Sequence, residues 1–238
     1  MKFRNYTIHI VALLLVACSS TYTLQSHDDE VIEIQSPIDS TVLAIITPYQ
    51  NGIQEQMNEV LCVSKMEMKK GKPESLLGNF VTDLCLNYAV AHICVMNNGG
   101  LRSTLPKGNI TRRDIYTLMP FENELVVLEL DEKSFNGLLD YITSRGGEPF
   151  SGMKFHSSKE LLEFRILPNC IIDFNNGEKI RVLTSDYLAN GGDKMWFFKD
   201  KEQIKVGMKL RDAIIDYCSN ADTISSQLDN RLIIAENE

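Results

Sequence analysis

Two pairs of adjacent glycines constrain this chain more than any other feature of its sequence. Gly99-Gly100 follows a short apolar run and precedes Arg102, whereas Gly191-Gly192 precedes Asp193. Glycine lets a backbone turn tightly, exposes amide N–H groups and allows a ligand to approach closely. The sequence therefore predicts two glycine turns that present a cation and a carboxylate.

A third segment, Pro120–Asn123, lies between these turns and carries an aromatic residue, Phe121. A guanidinium suits phosphate, aromatic rings stack on bases, and a carboxylate accepts hydrogen bonds from vicinal ribose hydroxyls. These are the groups that hold a nucleotide. The predicted binding residues are Asn97, Gly99, Gly100, Arg102, Phe121, Asn123, Tyr187, Gly192 and Asp193.

The same residues also have ordinary structural interpretations. Arg102 can be a solvated residue in a surface turn, and Asp193 can cap a turn. Phe121 and Tyr187 can pack in the core or cover it, which is the commoner fate of an aromatic side chain. For Arg102, the residues alone favour the ordinary interpretation.

The length and the net charge of the chain limit the classes of function that are compatible with it. The chain has 238 residues, enough for one substantial core or two small ones, and 44% of them are hydrophobic. Its formal net charge of −8 argues against binding to a nucleic-acid polymer, because such proteins need an excess of lysine and arginine. A mononucleotide needs only one or two local cations, so the acidic balance is compatible with a nucleotide site.

The N-terminus has the pattern of an export signal. Basic residues precede an apolar run, Ile8–Ala17, that is too short to span a bilayer as a mature helix. The run ends in Leu15-Val16-Ala17-Cys18, which resembles the bacterial lipobox. We therefore predict a lipoprotein signal peptide over residues 1–18 and lipidation of Cys18. The alternative is an ordinary secretory signal with a chance cysteine.

A lipidated Cys18 would anchor the protein to a bacterial membrane, facing the periplasm or the cell surface, without spanning the bilayer. Residues 19–37 are polar and acidic, which predicts a flexible tether. Residues 38–238 then form the folded domain.

The cysteines outside the signal are odd in number, so they cannot all pair within one chain. They are Cys62, Cys85, Cys94, Cys170 and Cys218. Cys85 and Cys94 lie among apolar residues and are predicted to be buried as small hydrophobic side chains. An oxidising compartment permits one disulfide, whose partners the spacing does not identify. The absence of a Cys-x-x-Cys pair from the sequence argues against a structural zinc site.

Hydrophobic periodicity predicts a mixture of helices and strands without strict alternation, which indicates an α+β fold with mixed sheets flanked by helices. Thr111 and Asp131 are predicted helix caps. Helices are predicted over residues 39–63, 76–91, 111–119, 131–142 and 209–218, strands over 93–96, 125–130, 164–167, 171–174 and 180–184, and a loop over 145–154. An Asn176-Gly177 turn between the last two strands predicts a hairpin.

Five motifs occur in an order that resembles a known family. They are Leu77–Asp83, Asn97–Arg102, Gly108–Thr111, Pro120–Asn123 and Tyr187–Asp193. Together they look like the C-terminal domain of 5'-nucleotidases, a group that includes periplasmic UDP-sugar hydrolases and 2',3'-cyclic phosphodiesterases. The resemblance covers residues 40 to 220 approximately, which is nearly all of the predicted domain.

This resemblance implies a nucleotide or nucleoside ligand and a role for each residue. Arg102 would contact the phosphate or ribose side and Asn97 the base or ribose. Phe121, with Asn123 beside it, and Tyr187 would stack on opposite faces of the base, and Asp193 would accept from the ribose hydroxyls. Tyr187 stands where family members usually carry phenylalanine.

One departure concerns the segment before the second helix, where family members place an arginine that contacts phosphate or ribose. Residues 69–73 of this chain contain no arginine. Lys70 or Lys72 would have to substitute, although lysine lacks the planar fork of arginine.

The resemblance also implies that metal binding and nucleoside binding lie in separate domains. In the family, a separate N-terminal domain holds two metals, and the C-terminal domain binds the nucleoside. A two-metal site needs several histidine and carboxylate ligands, but the predicted domain has only His92 and His156, which we expect to be structural. We expect no catalytic residue, metal or cofactor in this chain, and two divalent metals in a separate metallophosphoesterase chain.

The predicted function is therefore that of a substrate-binding domain in a split 5'-nucleotidase for nucleotide catabolism. One alternative is a non-catalytic surface lipoprotein that binds nucleotides. Another is a domain that uses the same fold only for contacts with other proteins.

Overall fold

The computed structural model describes residues 39–157, 162–168 and 170–235. The predicted signal peptide, the lipidation site Cys18 and the tether lie outside these residues. The described chain falls into two units, one comprising residues 39–45 and the other beginning at Ile46. No helix in the described ranges is long and apolar enough to cross a bilayer.

The first helix, α1, has no buried residue. It runs from Ser40 to Met57 and contains Pro48. Strand β1, Val60–Ser64, follows it, so the predicted helix over residues 39–63 is too long. Cys62 and Ser64 are buried and Val63 between them is exposed, and this alternation of period two belongs to a strand.

The remaining elements mix helices and strands, and the α+β prediction is confirmed. The helices are α2 (Leu76–Cys85), α3 (Arg112–Leu118), α4 (Glu132–Ser144), α5 (Asp186–Ala189) and α6 (Leu210–Asn220). The strands are β2 (Ile93–Val95), β3 (Gly108–Thr111), β4 (Glu124–Leu130), β5 (Phe150–Ser151), β6 (Met153–Ser157), β7 (Leu162–Ile166), β8 (Ile180–Ser185), β9 (Ile204–Lys209), β10 (Thr223–Ile224) and β11 (Leu232–Ile234).

The strands form three sheets. The largest has five strands in the order β5-β2-β8-β4-β9, and two three-stranded sheets have the orders β10-β1-β3 and β11-β6-β7. Both faces of the five-stranded sheet are buried, since Leu125 and Val127 belong to one apolar cluster and Val126 and Leu128 to the other. Two cores therefore share this sheet.

The topology brings the predicted binding segments together. Strands β2 and β8 are parallel neighbours, so their carboxyl ends meet at one edge of the sheet. The first glycine turn follows β2, and the second follows β8 and the short helix α5. Strand β4 is antiparallel to β8, with Leu125 opposite Ser185, so its start, just after Pro120–Asn123, lies at the same edge.

Both predicted helix caps are confirmed. The Thr111 side chain accepts from the Asp114 backbone N–H, and the Asp114 side chain accepts in return from the Thr111 backbone, which completes a capping box. Asp131 caps α4 by accepting from the backbone of Ser134. Cys85 and Cys94 are fully buried, as predicted, and the five described cysteines are free thiols.

Other predictions made from local pattern were also wrong. Helix α2 ends at Cys85 and gives way to a 3-10 turn, Leu86–Tyr88. Residues 145–154, predicted as a loop, contain β5 and the start of β6. No strand forms over residues 171–174, and the predicted hairpin is absent, because Gly177 closes a 3-10 turn and β8 pairs with β2 and β4 instead.

Candidate functional site

The edge where the three segments meet contains a cavity of about 300 Å³. It is lined by Asn97, Gly99, Gly100, Arg102, Phe121, Asn123, Tyr187 and Asp193. These are the residues predicted from the sequence apart from Gly192, which lies directly beneath Tyr187. The structure therefore brings together residues from three distant segments, and their roles in binding stay predictions.

The first glycine turn is closed by a backbone hydrogen bond within the turn. The Gly100 N–H donates to the Asn97 carbonyl at 3.1 Å. A Cβ atom on Gly100 would lie 2.7 Å from the Asn97 side-chain oxygen, so the close packing of Asn97 requires glycine there. The Arg102 guanidinium donates to the Gly99 carbonyl at 3.2 Å, and its charge lies 6.0 Å from the centre of the Phe121 ring.

The two lysines proposed to replace the family arginine lie in different places. The Lys70 ammonium donates to the Leu101 carbonyl at 3.1 Å, immediately beside Arg102. The Lys72 ammonium donates instead to the carbonyl of Arg145 at the end of α4. Of the two, Lys70 is the one that adds positive charge next to the first glycine turn.

The second glycine turn is organised around Asp193. Its backbone has φ of +50° and ψ of 25°, in the left-handed region that residues with a side chain rarely adopt. Its carboxylate accepts from the Asn97 side-chain amide at 2.5 Å and from the Tyr187 hydroxyl at 3.0 Å. These bonds connect the two glycine turns directly.

Gly192 explains why the ring of Tyr187 can lie so close to this turn. A Cβ atom at position 192 would lie 2.5 Å from the Tyr187 carbonyl oxygen and 2.6 Å from its ring. Real Cβ atoms essentially never come so close, so the Tyr187 ring packs directly on the backbone of Gly192. The glycine is therefore a packing requirement for the tyrosine.

The two aromatic residues of the site are unusually accessible. Phe121 is 42% exposed and Tyr187 is 45% exposed, although large aromatic side chains generally bury most of their surface. The core interpretation of these two residues is therefore wrong. Both rings line an open cavity, and a planar ligand has apolar surface to stack on.

The segment 120–123, hereafter the aromatic loop, is held by the start of α6. The Leu210 N–H donates to the Asn123 carbonyl at 2.9 Å. The Glu122 carboxylate accepts from Lys209 and Arg211, and these bonds lower the pKa of Glu122 to about 2. The buried Arg211 guanidinium also lies 4.3 Å from the centre of the Tyr116 ring.

Two supporting residues were missed by sequence reasoning. Glu148 is buried, and its carboxylate accepts from the Asn98 N–H at 2.7 Å and from the Asn98 side-chain amide at 3.1 Å. The Tyr141 hydroxyl donates to the Asp193 carbonyl at 2.8 Å. Glu148 lay in a segment interpreted as a loop, and Tyr141 is not one of the apolar residues that predicted its helix, so neither had a local signal.

Among the described residues, no group of three or more histidine, cysteine or carboxylate side chains is arranged to hold a metal ion. His92 accepts a hydrogen bond from the Arg181 N–H through Nδ1, and burial lowers its pKa. Arg181 is the second residue of β8, whereas the second glycine turn follows the end of that strand.

The family resemblance is supported by comparison with known proteins. Residues 56–156 match the family model described as "5'-nucleotidase, C-terminal domain". Over these residues the chain is similar to the C-terminal domain of 5'-nucleotidases. The matched range includes the first glycine turn and the aromatic loop, whereas the second glycine turn lies beyond it.

Curated relatives and solved structures agree with this assignment. An apyrase from Tabanus yao is 25% identical over 229 residues, covering 79% of this chain and 40% of the relative. A 5'-nucleotidase from Vibrio vulnificus is 26% identical over 156 residues, covering 62% of this chain and 28% of the relative. The 5'-nucleotidase precursor from Thermus thermophilus has the same fold, with a TM-score of 0.71 and 22% identity over 85% of this chain and 45% of its own. The chain spans less than half the length of these relatives.

Proposed function

We propose that this chain binds a nucleoside or nucleotide in the cavity between its two glycine turns and the aromatic loop. It would act as the substrate-binding domain of a 5'-nucleotidase-type phosphohydrolase. One observation carries the proposal: residues from three segments that are far apart in the sequence line a single cavity. A cation, a carboxylate, an amide and two exposed aromatic rings meet there.

The chemistry of the cavity suits the three parts of a nucleotide. The exposed rings of Phe121 and Tyr187 offer stacking surface to a base, a contact that contributes about 1–3 kcal/mol per base. The Asp193 carboxylate accepts hydrogen bonds, as vicinal ribose hydroxyls require. Arg102, with Lys70 beside its turn, supplies positive charge for phosphate.

The catalytic metals are proposed to come from a separate metallophosphoesterase chain. The described residues contain no set of ligands that fits two metal ions, and no hydrolytic step is assigned to them. The relatives are more than twice the length of this chain, which leaves room in them for a further domain.

We also propose that lipidation of Cys18 anchors the domain to a bacterial membrane, facing the periplasm or the cell surface. The support is the sequence pattern that ends at this cysteine. Globomycin, which blocks lipoprotein signal cleavage, should increase the mass of the protein found in cells. Substitution of Cys18 by alanine should release the protein from membranes, and an unchanged membrane fraction would contradict the anchor.

Binding and hydrolysis are tested together. Residues 19–238 are titrated by calorimetry with AMP, adenosine and UDP-glucose, and phosphate release from AMP is assayed with Mn²⁺. We expect binding without release. Release by the pure chain would overturn the proposal of a separate catalytic chain, and failure to bind any of the three ligands would overturn the proposed site.

The non-catalytic binding lipoprotein is separated from this proposal by a second measurement. A metallophosphoesterase chain from the same organism is added to the chain and AMP. A rate of phosphate release above that of the phosphoesterase alone supports a shared enzyme. An unchanged rate favours a protein that only captures nucleotides.

A further inference from the structure

The Tyr187 hydroxyl forms two hydrogen bonds, and both are with Asp193. It donates to the carboxylate Oδ1 of Asp193 at 3.0 Å, and the Asp193 backbone N–H donates to the hydroxyl oxygen at 3.2 Å. The ring that carries this hydroxyl rests on the backbone of Gly192. The hydroxyl is therefore held between the backbone N–H and the carboxylate of Asp193.

These bonds stabilise an unfavourable backbone conformation. Asp193 and Lys194 both have positive φ, and an aspartate in this region is uncommon and strained. The Tyr141 hydroxyl, which donates to the Asp193 carbonyl, provides a further restraint. Asp193 is thus held through its N–H, its carbonyl and both carboxylate oxygens, the last through Asn97 at Oδ2 and Tyr187 at Oδ1.

The carboxylate retains acceptor capacity after these bonds. Each carboxylate oxygen has two lone-pair directions, and only one direction on each oxygen is used by Asn97 and Tyr187. Asp193 lines the cavity, so a ligand bound there lies next to this residue. The two unused lone-pair directions of this carboxylate match the two adjacent hydroxyl groups of a ribose, which are hydrogen-bond donors.

We propose that the Tyr187 hydroxyl is a positioning group that makes this cavity selective for ligands with an intact ribose diol. It acts through Asp193, whose carboxylate it holds in the orientation that accepts from the 2' and 3' hydroxyls. The inference rests on the proposed function, since it assumes a nucleoside in the cavity. It assigns the hydroxyl a role separate from stacking by the ring.

The test compares two ligands that differ only in these hydroxyls. Adenosine and 2',3'-dideoxyadenosine are titrated by calorimetry into the full chain and into its Tyr187→Phe variant. Phenylalanine keeps the stacking ring and removes only the hydroxyl. We expect the affinity for adenosine to fall about five- to tenfold, and the affinity for the dideoxynucleoside to stay within about twofold.

Two further variants test whether the effect of Tyr187→Phe acts through Asp193 and is limited to the cavity. In an Asp193→Ala background, Tyr187→Phe should no longer change the ratio of the two affinities, because the carboxylate through which the hydroxyl acts is gone. Tyr88→Phe is the matched control. It removes a tyrosine–aspartate hydrogen bond of 2.7 Å, to Asp216, that lies outside the cavity, and should leave the ratio unchanged.

Each remaining outcome overturns the inference. Tighter adenosine binding by Tyr187→Phe would show that the hydroxyl competes with ribose for the carboxylate. An equal loss for both ligands would show that the hydroxyl supports only the base or the fold. If the unsubstituted chain binds neither nucleoside, the proposed function falls and this inference falls with it. If it binds both equally, the ribose assignment and this inference fall, whereas the proposed nucleoside site stands.

Discussion

The two sides of the cavity are held in different ways. The glycine-turn side, residues 97–102 and 187–193, is held by close backbone packing and by hydrogen bonds within the site, such as that from Asn97 to Asp193. The aromatic loop is held from outside, by the ion pairs of Glu122 with Lys209 and Arg211. The close packing of Tyr187 on Gly192 does not depend on pH or salt, whereas the exposed ion pair of Glu122 with Lys209 responds to both. The two sides should therefore fail under different conditions.

The largest effect is expected from Gly192→Ala on the glycine-turn side. The added methyl group would collide with the Tyr187 carbonyl and ring, so either the turn or the ring must move. We expect a loss of about 2–3 kcal/mol in the free energy of unfolding, and a loss of nucleoside binding, measured by urea denaturation and calorimetry.

Gly52→Ala is the matched control for this substitution. Gly52 lies in α1, and a Cβ atom there would meet no neighbour within 4 Å. Alanine is the better helix former, so this variant should be neutral or slightly more stable. If Gly192→Ala behaved in the same way, the Tyr187 ring could not be packed on the glycine as described.

A smaller effect is expected from Phe121→Ala in the aromatic loop. The ring is 42% exposed and contributes little to the core, so stability should change little. Affinity for adenosine should fall by about 1–3 kcal/mol if the ring stacks on the base. Calorimetry of the variant measures this, with Tyr49→Ala, an exposed aromatic residue on α1, as the control. Unchanged affinity would remove Phe121 from the site.

The parts of this picture that could be predicted from the sequence are those encoded locally. The capping box at Thr111 and the glycine turns were recognised because their chemistry lies within a few consecutive residues. The order of the five family motifs predicted that the site residues belong to one site. These residues, apart from Gly192, line one cavity. Local periodicity misassigned β1 because a five-residue strand directly after a helix continues its apolar pattern.

The supporting contacts could not be predicted because they join distant segments. Glu148 reaches Asn98 across 50 residues, and Arg211 reaches the aromatic loop across about 90 residues. Their partners depend on strand order, which hydrophobic spacing does not encode. The wrong hairpin at Asn176-Gly177 has the same cause, because β8 pairs with strands that lie far away in the sequence.

The smallest effect, and the sharpest contrast with the glycine-turn side, is expected from pH. The pKa of Glu122 is lowered from 4.5 to about 2 by its bonds to Lys209 and Arg211. A carboxylate with a lowered pKa stabilises the folded state when ionised, so this contribution is complete above pH 4.5 and is lost as pH falls toward 2. The gap in melting temperature between the unsubstituted chain and Glu122→Gln should therefore shrink over this window.

Added salt should also reduce the gap at neutral pH, because Glu122 and Lys209 are exposed to solvent. Glu67→Gln is the control, since Glu67 forms an exposed ion pair with Lys69 outside the aromatic loop and should contribute little at any pH. Gly192→Ala should show the opposite behaviour, with a deficit that is the same in low and high salt. A gap for Glu122→Gln that persists down to a pH of about 2 would mean that the charge of Glu122 does not hold the loop. The aromatic loop would then be held by its other contacts, such as the hydrogen bond from the Leu210 N–H to the Asn123 carbonyl.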